Sequence, residues 1–117
     1  MLNGSTKTTR IVGLAYPGAV LLDLTAPMEV FHFASDTLRE ETGATRPPYA
    51  VEIWGLERGP VPSMSGLSMM ATSMIGASLE DVDTVLVPGA KSGNPDVYRD
   101  RQSLDWLQEL PGQVRRV

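Results

Sequence analysis

Cysteine is absent from the 117 residues of this chain, and histidine occurs once, as His32. Without cysteine, these residues offer no disulfide, no thiolate metal ligand and no cysteine nucleophile. A single histidine also argues against a zinc site, because such sites draw on several Cys, His or acidic ligands. We therefore expect these residues to bind neither a metal nor a cofactor.

Positive charge is also scarce. Ten Lys and Arg residues stand against 14 Asp and Glu residues, which gives a formal net charge of −4. Arg115 and Arg116 form the only adjacent basic pair in the sequence. Because nucleic-acid binding relies on clustered Lys and Arg that neutralise phosphates, we expect any contact with DNA to come from a separate domain.

The sequence has no long uninterrupted apolar run. The stretch Ile11–Leu22 resembles part of a secretory signal peptide because Lys7 and Arg10 precede it. However, Pro17-Gly18 interrupts the stretch, Asp23 ends it, and no small-residue cleavage pattern follows. No segment is long enough to cross a membrane as a helix. We therefore expect a cytoplasmic protein without a membrane partner.

Strand and helix patterns alternate along the chain, whose length is that of one domain. The predicted strands are Ile11–Tyr16, Tyr49–Leu56 as an edge or second strand, a hairpin of Val61–Met64 with Leu67–Met70, and Asp83–Pro88. The predicted helices are Ala26–Glu41, one turn at Ser78–Asp81, and Asp96 or Asp100 to Leu110. This alternation predicts an α/β fold with a mostly parallel sheet flanked by helices, similar to flavodoxin. The strands containing Ile11 and Thr84 are expected to be neighbours, with their carboxyl ends on the same side.

The first long helix is predicted to begin with a side-chain cap. Asp23 or Thr25 can accept a hydrogen bond from the free amides of a first turn, and Pro27 fits there because it lacks an amide hydrogen. Thr42-Gly43 is expected to end the helix. A stripe of apolar residues is expected to pack on the sheet: Pro27, Phe31, Ala34 and Leu38.

Two strand ends with Pro-Gly turns are candidates for a functional site, because open α/β sheets bind ligands at the carboxyl ends of their strands. Asp23 follows the first turn and lies among leucines, which suggests partial burial at the mouth of a cleft. Such a carboxylate can act in acid–base chemistry or bind a ligand hydroxyl, and the alternative is a solvated residue at a helix start.

The turn Gly89–Gly93 follows the other strand. It lacks the spacing of a phosphate-binding P-loop, so its backbone amides either face an oxyanion or a bound carboxylate, or belong to an ordinary turn. His32 lies between Glu29 and Asp36 at helical spacing, which favours a solvated role. The methionines at positions 64, 69, 70 and 74 are interpreted as adaptable core or interface residues.

Several motifs, taken in order, resemble a known family. They are Tyr16-Pro17-Gly18, the segment Leu22–Phe31 (LDLTAPMEVF), Gly59-Pro60-Val61, Ser65-Gly66-Leu67, and the segment Asp83–Gly89 (DTVLVPG). Their order and spacing resemble the ThiJ/PfpI superfamily, which has the class I glutamine-amidotransferase-like fold. This version is most similar to the N-terminal ligand-sensing domain of AraC-type transcriptional regulators, and isonitrile hydratases share the same opening.

The resemblance implies roles for three residues. Asp23 matches the acidic residue beside the nucleophile of the family, and Gly89 with Ala90 matches a Gly-Gly turn whose amides line an oxyanion pocket. The methyl group of Ala90 departs from that pattern and narrows the pocket. In the family, the strand that begins here at Gln113 leads into the turn bearing the cysteine. From the resemblance, we expect residues 10–117 to be the first part of one domain, truncated before the cysteine-bearing turn, which is called the nucleophile elbow. Residues 1–9 are expected to form a flexible tail.

Three functions stay open on the sequence alone. We favour a non-enzymatic sensor that binds a small-molecule effector at Asp23, Gly89 and Ala90, acts as a homodimer, and reaches DNA through a separate domain. The second is a cysteine-dependent enzyme such as an isonitrile hydratase. It would be inactive within these residues because they contain no cysteine nucleophile, so no catalytic residue is assigned here. The third is a fragment that exposes an unfinished sheet edge and pairs with another copy.

Overall fold

Five strands form one sheet in the computed structural model, which describes residues 7–90 and 101–117. The elements in chain order are β1 (Thr9–Leu14), α1 (Leu21–Thr42), β2 (Tyr49–Gly55), β3 (Gly59–Pro62), β4 (Ser68–Ser73), β5 (Val82–Leu86) and α2 (Arg101–Glu109). The strand order is β3-β4-β2-β1-β5, and only the β3–β4 pair is antiparallel. The predicted α/β fold with a mostly parallel sheet is therefore confirmed.

Strand β1 lies in the interior of the sheet, parallel to β2 on one side and to β5 on the other. Ile11 and Val12 are fully buried, as expected of a strand covered on both faces. Gly13 lets α1 approach closely, because a Cβ at this position would lie 2.7 Å from Met28 Cε. The predicted adjacency of the strands containing Ile11 and Thr84, with their carboxyl ends on the same side, is confirmed.

Helix α1 begins at Leu21, five residues before the predicted start. Val20 occupies the N-cap position without a side-chain hydrogen bond, so the predicted cap by Asp23 or Thr25 is wrong. Pro27 lies inside the helix rather than at its start. The leucine-rich segment Leu21–Leu24 explains the early start, since leucine is a strong helix former and Leu24 is fully buried.

The buried face of α1 also differs from the predicted stripe. Leu24, Met28 and Ser35 are its buried residues, while Leu38 is exposed. Ser35 tolerates burial because its hydroxyl donates to the carbonyl of Tyr49 at 3.1 Å and accepts from its amide at 3.2 Å. The helix ends as predicted, with Gly43 in the left-handed region at φ 70°.

The remaining strands follow the predicted pattern with small shifts. The antiparallel hairpin of β3 and β4 is confirmed. Strand β2 is the second strand along the chain but an interior one, between β1 and β4, so its reading as an edge strand is wrong. No helical turn forms at Ser78–Asp81, where Asp81 instead adopts a φ of 64° within a turn.

The C-terminal segment packs against the face of the sheet opposite α1. Trp106 and Leu107 of α2 contact the core cluster that contains Val12 and Leu110, whereas Leu24 of α1 belongs to a second cluster. The predicted start of this helix at Asp96 or Asp100 lies outside the described residues. The predicted strand from Gln113 appears only as isolated bridges, a parallel one between Arg116 and Thr84 of β5 and one between Val114 and Pro111.

Candidate functional site

The site predicted from the sequence lies where the direction of the chain connections reverses. From β1 the chain crosses through α1 to β2 on one side, and β5 pairs with β1 on the other side. At such a switch point the connections leave neighbouring strand ends in opposite directions, which opens a crevice at the carboxyl edge of the sheet. Tyr16, Asp23 and Gly89 belong to the segments that leave β1 and β5 at this edge.

Asp23 and Gly89 are in direct contact. The amide of Gly89 donates a hydrogen bond to Asp23 Oδ2 at 2.9 Å. The carbonyl of the same glycine accepts from the amide of Val20 at 2.8 Å, and Ala90 forms an antiparallel bridge with Ala19. The structure therefore brings the three predicted site residues together, with the segment after β5 hydrogen-bonded to the start of α1.

The environment of Asp23 differs from the expected one. Its side chain is exposed, so the predicted partial burial among leucines is wrong. In a helix that starts at Leu21, Leu24 turns to the core while Asp23 remains at the surface of the first turn. A carboxylate in a first helical turn is stabilised by the positive end of the helix dipole.

Gly89 suits its position because it has no side chain. A Cβ there would lie 3.1 Å from Asp23 Oδ2, closer than ordinary contact. The Gly89 amide, one of those expected at an oxyanion pocket, is occupied by a carboxylate of the chain itself. This arrangement holds the carboxylate at the rim of the crevice, where a ligand from solvent can reach it.

Tyr16 lies beside Asp23 and Gly89, a contact that was not predicted from the sequence. Its hydroxyl donates to the carbonyl oxygen of Pro88 at 2.5 Å, and 9% of the residue is exposed. Burial, and secondarily the negative charge of Asp23, raise the pKa of the Tyr16 phenol. The sequence signals for it were its place at the end of a predicted buried strand and the motif Tyr16-Pro17-Gly18.

A shallow, mostly apolar cavity of about 300 Å³ lies beside Asp23 along α1. It is lined by Val20, Leu21, Leu22, Thr25, Met64 and Ser65. The hairpin turn is fixed here, because the amide of Met64 donates to the carbonyl of Ala19 at 2.8 Å. Of the four methionines interpreted as core or interface residues, Met69 and Met74 are buried, whereas Met64 and Met70 are exposed.

His32 lies away from this crevice, exposed on α1. Its Nε2 is 3.5 Å from Asp36 Oδ2 at the i,i+4 spacing, which agrees with the predicted solvated role. Within residues 7–90 and 101–117, no group of three or more His, Cys, Asp or Glu side chains is arranged to hold a metal ion. In the same part of the chain, no helix is both long and apolar enough to cross a membrane.

Comparison with known proteins finds similarity at the level of fold. No protein-family model and no curated protein matches the sequence. A ThiJ/PfpI family protein from Pseudomonas syringae has a TM-score of 0.69 and 22% identity, covering 93% of this chain and 40% of that one. An AraC family transcriptional regulator from Pseudomonas putida has a TM-score of 0.62 and 17% identity, covering 90% and 51%. DJ-1beta of Drosophila melanogaster has a TM-score of 0.53 and 18% identity, covering 91% and 51%.

This chain therefore spans about half or less of the length of these proteins. At such identities the likeness concerns the backbone, and it agrees with the motifs Tyr16-Pro17-Gly18 and Asp83–Gly89. The chain has the α/β fold that the ThiJ/PfpI, AraC-family and DJ-1 structures share.

Proposed function

We propose that this chain is part of the N-terminal ligand-sensing domain of an AraC-type transcriptional regulator and that it binds a small metabolite without catalysis. The observation that carries the proposal is the contact of Asp23 with Gly89 at the switch point of the sheet. Ligands of open α/β folds bind in this crevice. The likeness to the AraC family regulator from Pseudomonas putida supports the choice of a regulator.

The state of the Gly89 amide favours binding over catalysis. An oxyanion pocket needs backbone donors aimed at the position where negative charge develops. Here the Gly89 donor already bonds to Asp23, so an oxyanion would have to displace a carboxylate of the protein. An effector that carries a hydroxyl or amine, in contrast, meets an exposed carboxylate with its acceptor oxygens in place.

The charge of the chain bears on its partners. With a formal net charge of −4, it offers little attraction to phosphate, so DNA contact is assigned to a separate domain. A homodimer is part of the same proposal, because paired half-sites on DNA match a two-fold symmetric protein. The cytoplasm is the location that this function requires.

The alternative is a cysteine-dependent ThiJ/PfpI enzyme such as an isonitrile hydratase. The fold likeness to the ThiJ/PfpI protein from Pseudomonas syringae favours it, and so does the exposed Asp23, which could activate a thiolate. No such thiolate is present in these 117 residues, so the chemistry would depend on a cysteine elsewhere.

Titration of the ¹⁵N-labelled chain with a panel of small polar metabolites, grouped by amine, hydroxyl and carboxylate head groups, tests the proposal. We expect a binding metabolite to shift the amide resonances around Asp23 and Gly89. Asp23→Asn removes the charge while keeping the shape. It should weaken that binding about tenfold or more, since a hydrogen bond to a charged group contributes about 1.5–3 kcal/mol.

Asp36→Asn is the matched control, since it neutralises another exposed carboxylate of α1. It should leave metabolite binding unchanged, and both variants should change the free energy of unfolding by less than about 1 kcal/mol. Metabolite binding that is equally strong in Asp23→Asn would refute the assigned site. If a protein that contains this chain together with a cysteine turned over an isonitrile, and Asp23→Asn abolished that turnover, the enzyme would be established instead.

A further inference from the structure

The peptide group between Pro88 and Gly89 is held at both of its polar ends. Its carbonyl oxygen accepts the hydroxyl of Tyr16, and its N–H donates to Asp23 Oδ2. These atoms belong to one planar unit, so the orientation of the carbonyl fixes the direction of the N–H. Two side chains from the segment after β1 therefore set the orientation of a single peptide after β5.

This orientation is not imposed by the local sequence. A Pro-Gly pair is compatible with type I and type II turns, which differ chiefly in the rotation of the peptide between the two residues. Rotation of the Pro88–Gly89 peptide would turn its carbonyl oxygen towards the Asp23 carboxylate and remove the donor. Two contacts from elsewhere in the fold favour the observed orientation: the Tyr16 hydroxyl at the carbonyl and the Asp23 carboxylate at the N–H.

We propose that Tyr16 is a positioning residue of the effector site, which holds the Pro88–Gly89 peptide so that its N–H orients Asp23. This role rests on the proposed function in assigning the site to an effector. Donation by Tyr16 to the carbonyl also polarises the peptide, which strengthens the N–H as a donor. A tyrosine phenol is protonated at neutral pH, and burial together with the charge of Asp23 raises the pKa of Tyr16 further, so the hydroxyl keeps donating.

The test uses the amide resonance of Gly89 in the full chain without any ligand. In the wild type we expect this amide proton at low field and protected from exchange, as for a charge-assisted hydrogen bond. Tyr16→Phe keeps the ring but removes the hydroxyl. It should move the Gly89 resonance upfield and speed its exchange by about five- to tenfold, the equivalent of one ordinary hydrogen bond.

Tyr49→Phe is the matched control, because Tyr49 is a partly buried tyrosine whose ring packs on Phe31. It should leave the Gly89 amide unchanged. In an Asp23→Asn background, Tyr16→Phe should have a smaller effect on this amide than in the wild type, since both contacts act on the same peptide. A Gly89 amide that is unchanged in Tyr16→Phe would refute the positioning role and would show that Tyr16 contributes only packing contacts.

A second measurement covers the case in which Tyr16→Phe does not fold. Wild-type chain and Asp23→Asn are labelled with 3-fluorotyrosine, and the Tyr16 fluorine resonance is expected to shift between them. An unchanged fluorine resonance would overturn the coupling. A Gly89 amide that changes its shift and exchange rate in Tyr16→Phe, in a chain that binds no metabolite, would refute the proposed function and support the positioning role. Failure of the proposed function and failure of the positioning role are therefore distinguishable.

Discussion

The charged side chains at the two ends of the parallel sheet have different partners. Near the amino ends of the strands, Arg10 makes contacts of 2.7 and 2.9 Å to the two carboxylate oxygens of Glu52 and donates to the carbonyls of Ser78 and Glu80. At the carboxyl edge, Asp23 meets a backbone amide, and no Lys or Arg among the described residues forms an ion pair with it. Within residues 7–90 and 101–117, the carboxylate of Glu52 is therefore paired with a cation, whereas that of Asp23 is not.

This difference distinguishes an ion-pair network within the fold from an exposed carboxylate that meets a backbone amide. The guanidinium of Arg10 lies 5.5 Å from the ring centre of Trp54, whose indole N–H donates to Glu52 at 3.1 Å. Such a network has little capacity left for a ligand, because its donors and acceptors bond to each other. The carboxylate of Asp23, in contrast, is exposed and accepts a hydrogen bond from the backbone amide of Gly89.

Arg10→Ala should give the largest effect on stability and sharpen this comparison. The change leaves the partly buried Glu52 carboxylate without its cation and frees the carbonyls of Ser78 and Glu80. We expect the free energy of unfolding to fall by about 2–3 kcal/mol, as for lost hydrogen bonds to a charged group. Urea unfolding followed by circular dichroism measures it.

Arg58→Ala serves as its control, because Arg58 is exposed in the turn between β2 and β3. That variant should stay within about 0.5 kcal/mol of the wild type. A loss in Arg10→Ala as small as the loss in Arg58→Ala would show that the amino-end network contributes nothing to stability and would remove the contrast between the two ends.

The fold could be predicted from the sequence where the signal is local. Apolar runs of β-branched residues identified β1, β2 and β5, and the helical segment between parallel strands implied their arrangement. The start of α1 could not be predicted from these rules, because the pattern of Leu21–Leu24 is compatible with a loop and with a helix. The burial of Leu24, which favours the helix, is a property of the folded chain. The buried face is centred on Leu24, Met28 and Ser35, while Pro27, Phe31 and Ala34 of the predicted stripe are half-buried.

The candidate site was predicted in part. Asp23 and Gly89 were expected to belong to one cleft because both follow neighbouring strands at one edge of the sheet, and in the structure they form a 2.9 Å hydrogen bond. Their ligand-binding role stays a prediction. The contact of Tyr16 with Pro88 depends on strand register and on the reach of a phenol ring, so it required the three-dimensional structure.

Acidification should lower the free energy of unfolding by less than Arg10→Ala does. Its effect should arise near the amino ends of the strands. Hydrogen bonds from Arg10, aided by Trp54, hold the pKa of Glu52 below its usual value, and Arg115 with Thr84 does the same for Asp83. A carboxylate whose pKa is lower in the folded state contributes stability above its unfolded pKa and loses it as pH falls through the folded one.

We therefore expect the free energy of unfolding to decrease as the pH is lowered from about 5, where unfolded carboxylates begin to take up protons. Glu52→Gln should be less stable at pH 7 but show a shallower decrease, because one of the two groups no longer titrates. Urea titrations at several pH values measure both slopes. Parallel curves for wild type and variant would contradict the contribution of Glu52.

Gly89→Ala should have the smallest effect on stability and the most local one. The added Cβ would lie 3.1 Å from Asp23 Oδ2, so the exposed carboxylate has to move by a few tenths of an ångström. We expect less than about 0.5 kcal/mol of lost stability, because an exposed side chain can yield.

Gly76→Ala is the control. Its φ of 77° lies in the left-handed region, which a residue with a side chain rarely adopts, so this variant should lose about 1 kcal/mol of stability without contacting Asp23. If the contact is as close as described, Gly89→Ala alters the amide exchange at position 89 and Gly76→Ala does not. Identical exchange in both variants would mean that the carboxyl end does not hold Asp23 in the described place.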